Sequence, residues 1–179
     1  SRGEAPDRRA RGSEKTIMSK LDLHQTSAAP LRLALIGSPN SGKTTVFNAL
    51  TGLRARVGNY PGVTVERREG TLRLKDRTAD IIDLPGTYSL DPVSPDEAVV
   101  GRVLAGEIPD TPAPDAVIVV ADACSLERSM LLIGQILNLG LPACLVVTMV
   151  DELRARKGQI DLERLSAALG IPVTGVVGH

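Results

Sequence analysis

From Leu31 onward, apolar residues alternate between short continuous runs and stretches with helical spacing, a pattern that predicts strands and helices in turn. Leu31 to Ile36 reads as a buried strand ending in a glycine-rich turn, and Val46, Phe47 and Leu50 mark one face of the helix that follows. Arg67 to Leu74 and Thr78 to Asp83 read as two strands of a hairpin, joined by the polar turn Lys75 to Arg77. Ser94-Pro95-Asp96-Glu97 opens a helix that runs to about Ala105: serine caps it, proline suits the first turn, and the glutamate reaches back to the cap amide. Ala116 to Val120 and Ala143 to Met149 are buried strands, with a helix between them capped by Ser125 and ending near Gly140. Asp161 to Leu169 is a further helix stopped by Gly170, and Val173 to Val177 is the last strand. The order implies an α/β fold, a mostly parallel sheet with helices on both faces. A final helix to cover the last strand is missing, so the natural polypeptide is expected to continue beyond His179.

Residues 1 to 30 lack this pattern and carry six basic and four acidic side chains, the mark of a flexible extension ahead of a single domain over 31 to 179. The chain starts at Ser1, and Met18 offers an internal start, so Ser1 to Ile17 carries no assigned function. Across the chain 21 Lys and Arg cancel 21 Asp and Glu, which leaves no cationic field for nucleic acid. Phe47, Tyr60 and Tyr88 are the whole aromatic complement, too few for a base-stacking surface. Cys124 and Cys144 have no CxxC spacing and read as buried thiols rather than zinc ligands. The longest apolar stretch, Leu141 to Val150, is too short to span a bilayer, so this stretch is expected to be soluble and cytoplasmic.

Chemistry concentrates in two motifs. Gly37-Ser38-Pro39-Asn40-Ser41-Gly42-Lys43-Thr44 matches GxxxxGK[ST] and lies between a predicted strand and a predicted helix, as a phosphate-binding loop must. Its glycines let backbone amides curl around phosphate oxygens, Lys43 neutralises the β- and γ-phosphates, and Thr44 offers a hydroxyl to Mg²⁺. Asn40, Ser41, Gly42, Lys43, Thr44 and Thr45 are therefore the candidate phosphate contacts. Asp83-Leu84-Pro85-Gly86 follows the second hairpin strand, where Asp83 can hold Mg²⁺ through water while Gly86 gives its amide to the γ-phosphate. Thr64, between the motifs, is placed to add a second hydroxyl to Mg²⁺ when its loop, about Ala55 to Glu66, closes. Lys43, Thr64 and Gly86 are the candidate catalytic residues.

Four segments together, Ile36 to Thr44 (IGSPNSGKT), Arg56 to Arg67 (RVGNYPGVTVER), Asp83 to Leu90 (DLPGTYSL) and Asp122 to Arg128 (DACSLER), resemble the cytoplasmic GTPase domain of FeoB-type ferrous iron transporters. The resemblance covers Leu31 to about Val177. It implies a Ras-like P-loop GTPase with a six-stranded sheet, binding GTP and GDP with Mg²⁺. It also implies a helical regulatory segment and a membrane permease beyond this chain, with the domain at the cytoplasmic face of the cell membrane. In that family an NxxD motif reads guanine, and Thr148-Met149-Val150-Asp151 stands in its place: Asp151 can accept from the base, whereas Thr148 is shorter than Asn. Asp151 also reads as a helix N-cap. Val177-Gly178 replaces the family's Ser-Ala at the last strand end, where a backbone amide can reach the base oxygen.

Asn40 occupies the position where potassium-activated relatives hold K⁺ through an Asn carbonyl, with switch carbonyls near Gly58 to Tyr60 completing the shell; alternatively it only bonds across the loop. Thr87 stands where many GTPases carry a water-orienting Gln, which keeps open a nucleotide sensor with negligible turnover beside the hydrolase. A P-loop kinase using ATP draws no support from the four segments. Glu66, Glu69, Asp96 and Glu97 read as solvated or capping carboxylates rather than iron ligands.

Overall fold

The computed structural model describes residues 30 to 177, so the extension expected over 1 to 30 lies, Pro30 apart, outside the described residues. Among the described residues seven strands form one sheet: β1 (Leu31–Gly37), β2 (Ala55–Asn59), β3 (Glu66–Arg73), β4 (Thr78–Asp83), β5 (Ala116–Asp122), β6 (Ala143–Thr148) and β7 (Val173–Gly175). The helices are α1 (Lys43–Thr51), α2 (Pro95–Leu104), α3 (Met130–Asn138), α4 (Val150–Ala155) and α5 (Leu162–Leu169), with a 3₁₀ helix over Ala123–Ser129. The sheet runs β2-β3-β4-β1-β5-β6-β7, antiparallel between β2, β3 and β4 and parallel elsewhere. Strand order reverses at β1, which lies between β4 and β5, and the loop after β1 opens at that switch point, where α/β sheets bind ligands.

The alternation within β1 sorts its side chains between two cores. Leu31, Leu33 and Leu35 meet Val46, Phe47 and Leu50 of α1 on one face, with Ile118 and Val146. Ala34 and Ile36 face the other way, towards Val99, Val100 and Val103 of α2 and Leu132, Ile133 and Ile136 of α3. Helix α1 has nine residues, too few to persist alone. Fully burying Phe47 contributes roughly 2–3 kcal/mol and ties the helix to the sheet.

The sheet has one strand more than the six expected, and the extra one lies inside the segment read as a mobile loop. Strand β2 pairs with β3 from Ala55↔Gly70 to Asn59↔Glu66. All five of its residues are exposed, so an edge strand written ARVGN shows no apolar alternation to betray it. The movable part of the segment shrinks accordingly. Tyr60 and Val65 are both buried in the α2 and α3 core, the Tyr60 N–H donates to the Val65 carbonyl at 3.1 Å, and the Val63 N–H donates to the Tyr60 carbonyl at 3.2 Å. Between these pins Pro61, Gly62 and Thr64 are exposed, while Val63 packs partly against the same core.

The phenol of Tyr60 has no hydrogen-bond partner among the described residues, and burial pushes its pKa well above the ordinary 10.0. Above pH 10 the unfolded chain releases this proton while the folded one keeps it, so stability falls with rising pH by up to about 1.4 kcal/mol per unit. Tyr60→Phe is expected to remove that part of the alkaline decline and, by deleting an unpaired buried hydroxyl, to gain about 1 kcal/mol at neutral pH. Urea melts of both proteins at pH 7 and 10.5 check this; an unchanged pH dependence counts against it.

Two boundaries also move. Ser125 does not cap the helix before Gly140: it lies inside the 3₁₀ helix, which Asp122 caps by accepting from the Cys124 N–H at 2.7 Å, and α3 begins only at Met130, after Ser129. Asp122 and Ser125 are both cap formers three residues apart, and the one at the strand end wins. The last strand stops at Gly175 rather than Val177. The hairpin of β3 and β4 and the Ser94 cap of α2, which accepts from the Glu97 N–H at 3.2 Å, stand as expected.

Candidate functional site

Gly37 ends β1 flush against β5: a Cβ there would lie 2.5 Å from the Val120 carbonyl oxygen and 2.8 Å from Ser41 Oγ, so the close approach requires glycine. Asn40 (φ 62°) and Gly42 (φ 80°) then take left-handed backbone, which curls the loop into the start of α1. Among the described residues no side chain caps α1, and no acid sits in its first turn, so its leading amides and the positive end of its dipole remain for an anion. Ser41 is buried and its hydroxyl is unpaired among the described residues, a cost of about 1–3 kcal/mol that a phosphate oxygen relieves. These features fit a phosphate. Thr44 and Thr45 are exposed on the first turn of α1, and Asn40 is exposed at the crown of the loop.

The second motif comes to the same place. The β4 strand delivers Asp83, whose carboxylate, 8% exposed, pairs with the Lys43 ammonium, 13% exposed. The Leu84 N–H donates to the Leu35 carbonyl at 2.9 Å and the Thr87 N–H to the Gly37 carbonyl at 3.0 Å, which lashes the DxPG turn to the loop after β1. A Cβ at Gly86 would stand 3.3 Å from Pro39. The structure thus joins Lys43, Asp83 and Gly86. A buried carboxylate opposite a lysine, with the Thr44 hydroxyl one residue along α1, is a hard-oxygen donor set suited to Mg²⁺. Thr64 is exposed on the projecting part of its segment.

Thr87 turns away from this chemistry. It is buried, donating from its hydroxyl to the Ser89 carbonyl at 2.6 Å and accepting from the Ser89 N–H at 3.2 Å. A hydroxyl so committed does not orient a water.

On the far side of the loop, Thr148 is buried at the end of β6. Its hydroxyl lies 2.6 Å from the Ser41 carbonyl and 3.2 Å from the Ala121 carbonyl, and its methyl would be 3.3 Å from a Cβ on Gly42. Thr148 therefore props the phosphate loop from behind, and its hydroxyl faces backbone rather than an incoming base. Asp151 is exposed in the first turn of α4, where Met149 (φ 55°) occupies the N-cap, so the plain-cap reading of Asp151 falls. Val177 is exposed beyond β7, and Gly178 lies outside the described residues. Of the carbonyls expected around a cation, those of Gly58 and Asn59 belong to the β2 edge, and that of Tyr60 already accepts from Val63.

Some supporting residues escaped the sequence. Ser38 and Ser129 are buried with their hydroxyls 3.3 Å apart, tying the loop to the start of α3. No spacing announces a pair so distant in the chain. The thiols fall partly as expected: Cys144 is buried and Cys124 half-buried. Glu66 and Glu69 pair with Arg68 and Arg67, and Glu97 accepts from the Val93 N–H at 2.8 Å rather than from the expected Ser94 amide.

Three comparisons set this geometry among known proteins. The family profile described as Ferrous iron transport protein B matches residues 31–179. A Porphyromonas gingivalis protein, the Fe(2+) transport protein A/Fe(2+) transporter FeoB fusion protein, is 47% identical over 149 residues, covering 83% of this chain and 17% of the relative. The chain spans less than a fifth of the length of the curated relatives it matches. The crystal structure of the G domain of the T. maritima FeoB iron transporter superposes with a TM-score of 0.73 at 42% identity, covering 83% of this chain and 88% of that one. The cytosolic domain of the same transporter in a GDP form gives 0.77 at 42% identity, covering 83% of this chain and 57% of that one. The mixed seven-stranded sheet with helices on both faces is thus a P-loop G-domain fold.

Proposed function

Because this chain belongs to the ferrous iron transport protein B family, we propose that it is the GTP-binding and GTP-hydrolysing switch of a ferrous iron transporter. One observation carries the reading: the loop after β1 and the DxPG turn are fastened together by the Lys43–Asp83 pair and the Thr87–Gly37 hydrogen bond. A nucleotide at that junction meets the α1 amides, Lys43 and the Gly86 amide together, and structures of relatives carry GDP. Asp151 reads the guanine base, the role its place in Thr148-Met149-Val150-Asp151 implies. Beyond the chain, a helical regulatory segment and a membrane permease place the domain at the cytoplasmic face of the membrane. Among the described residues no helix is long and apolar enough to cross one.

Thr44, Asp83 and, once its segment closes, Thr64 would hold Mg²⁺, and Asn40 would hold K⁺. When bound, the two cations supply positive charge against the phosphate oxygens, the role an arginine finger plays elsewhere. The chain's own part is to exclude water with Tyr60 and Val65 at the base of the segment and to present Lys43 to the leaving phosphates. A sensor with negligible turnover is the second reading, favoured by the buried, committed hydroxyl of Thr87.

Single-turnover hydrolysis in Na⁺ and in K⁺ separates the two. Slow turnover in Na⁺, about tenfold or more faster in K⁺, with the gain lost in Asn40→Ala while GDP affinity is kept, is the expected result. Equal rates in both salts reject the cation role and favour the sensor.

A further inference from the structure

Behind β2 the described residues enclose a groove of about 670 Å³ that no part of the nucleotide chemistry uses. Arg32, Arg54, Arg56, Arg67 and Arg73 line it against two carboxylates, Glu69 and Asp80, in a chain whose total charge is zero. The alternation of β3 puts Arg67, Glu69, Thr71 and Arg73 on one face, and the register carries that face across to Asp80 and Arg32. Arg67 pairs with Glu69, and Arg32 lies 3.9 Å from Asp115. Arg54, Arg56 and Arg73 have no ion-pair partner among the described residues and are exposed. Beside them runs a free strand edge: β2 ends the sheet, all five residues are exposed, and alternate N–H and C=O groups point away from β3.

We propose that this face is a docking site for an acidic polypeptide segment, laid in extended form along the β2 edge with its carboxylates on Arg54, Arg56 and Arg73. Charge alone would also attract nucleic acid or an anionic lipid surface, but the composition of the groove decides between them. Glu69 and Asp80 stand among the arginines and repel a uniform polyanion. A peptide can place its acidic side chains on the arginines and leave Glu69 and Asp80 to Arg67 and Thr71, and its backbone completes the open edge by strand addition. Carboxylates bound bidentately by guanidinium groups fix the register of the added strand.

The test uses the full chain and a fluorescent ten-residue peptide of alternating Glu and Thr, followed by anisotropy. A peptide with Gln for Glu, phosphatidylserine vesicles and an oligouridylate serve as comparison probes. The Glu peptide is expected to bind at least tenfold tighter than the Gln peptide and to slow amide exchange across Ala55–Asn59. R54E/R73E, both on the surface and outside the nucleotide site, is expected to weaken it at least tenfold at an unchanged melting temperature. If that variant is unstable, R54Q/R73Q should show a smaller loss in the same direction. Equal binding by these variants, no protection of β2, or vesicles or oligouridylate held as tightly as the peptide overturns the proposal.

Discussion

Lys43→Ala is expected to lower triphosphate affinity by at least ~100-fold, the loss of about 3 kcal/mol that follows from removing a charged donor facing two phosphates. The variant should also be less stable than its surface position in the sequence pattern implies. Lys43 is the ion-pair partner of Asp83, whose carboxylate is 8% exposed, and deleting one member of a largely buried pair strands the other at a cost of about 3 kcal/mol. The two effects come apart in Lys43→Ala/Asp83→Asn, which removes the stranded charge: most of the stability returns while nucleotide affinity stays low. Calorimetry with GTP and thermal melts of both variants measure this. Unchanged affinity in Lys43→Ala would end the phosphate-loop assignment.

Gly37→Ala should do comparable harm by packing alone. Its Cβ has backbone, not a flexible side chain, at 2.5 Å, so β1 and β5 must part where the sheet is otherwise closed. Overpacking of this kind costs roughly 3 kcal/mol, or roughly 10 °C in melting temperature for a domain of this size. Nucleotide affinity should fall with it, because Gly37 also accepts the hydrogen bond that lashes down the DxPG turn. Gly101 in α2 is the internal control: a Cβ there meets nothing within 4 Å, and Gly101→Ala should stabilise the helix by about 1 kcal/mol. If both alanines behave alike, the strand contact is not what makes position 37 a glycine.

The parts of this molecule that could be read from the chain are those whose signal is local. Buried strands such as Ala143–Thr148 are written as apolar runs, the Ser94 cap as four adjacent residues, and the phosphate loop as glycines at fixed spacing. What escaped depends on neighbours that sequence separation hides. Strand β2 exists because β3 offers it an edge, not because ARVGN prefers to be extended. Thr148 looked like a weakened base contact, yet its hydroxyl meets Ser41 across 107 positions of chain. Thr87 looked available for water and is spent on Ser89 two residues away, a turn bond that competes locally with any role in the site. The roles of Thr64, Asp151, Val177 and Gly178 still rest on the motif pattern.

The pinning of Tyr60 and Val65 sets the stroke of the segment between them. Pro61 to Thr64 alone reach no more than about 14 Å when fully drawn out, and a larger excursion must pull the Tyr60 ring from the core or unzip β2. Exposing that ring costs about 3 kcal/mol, so the wide-open form holds on the order of one molecule in a hundred. The segment is therefore held near the sheet at both of its ends. Whatever draws it out must prefer the drawn-out form by a hundredfold merely to reach balance, and a ligand indifferent to the two forms leaves the segment where it is however tightly it binds.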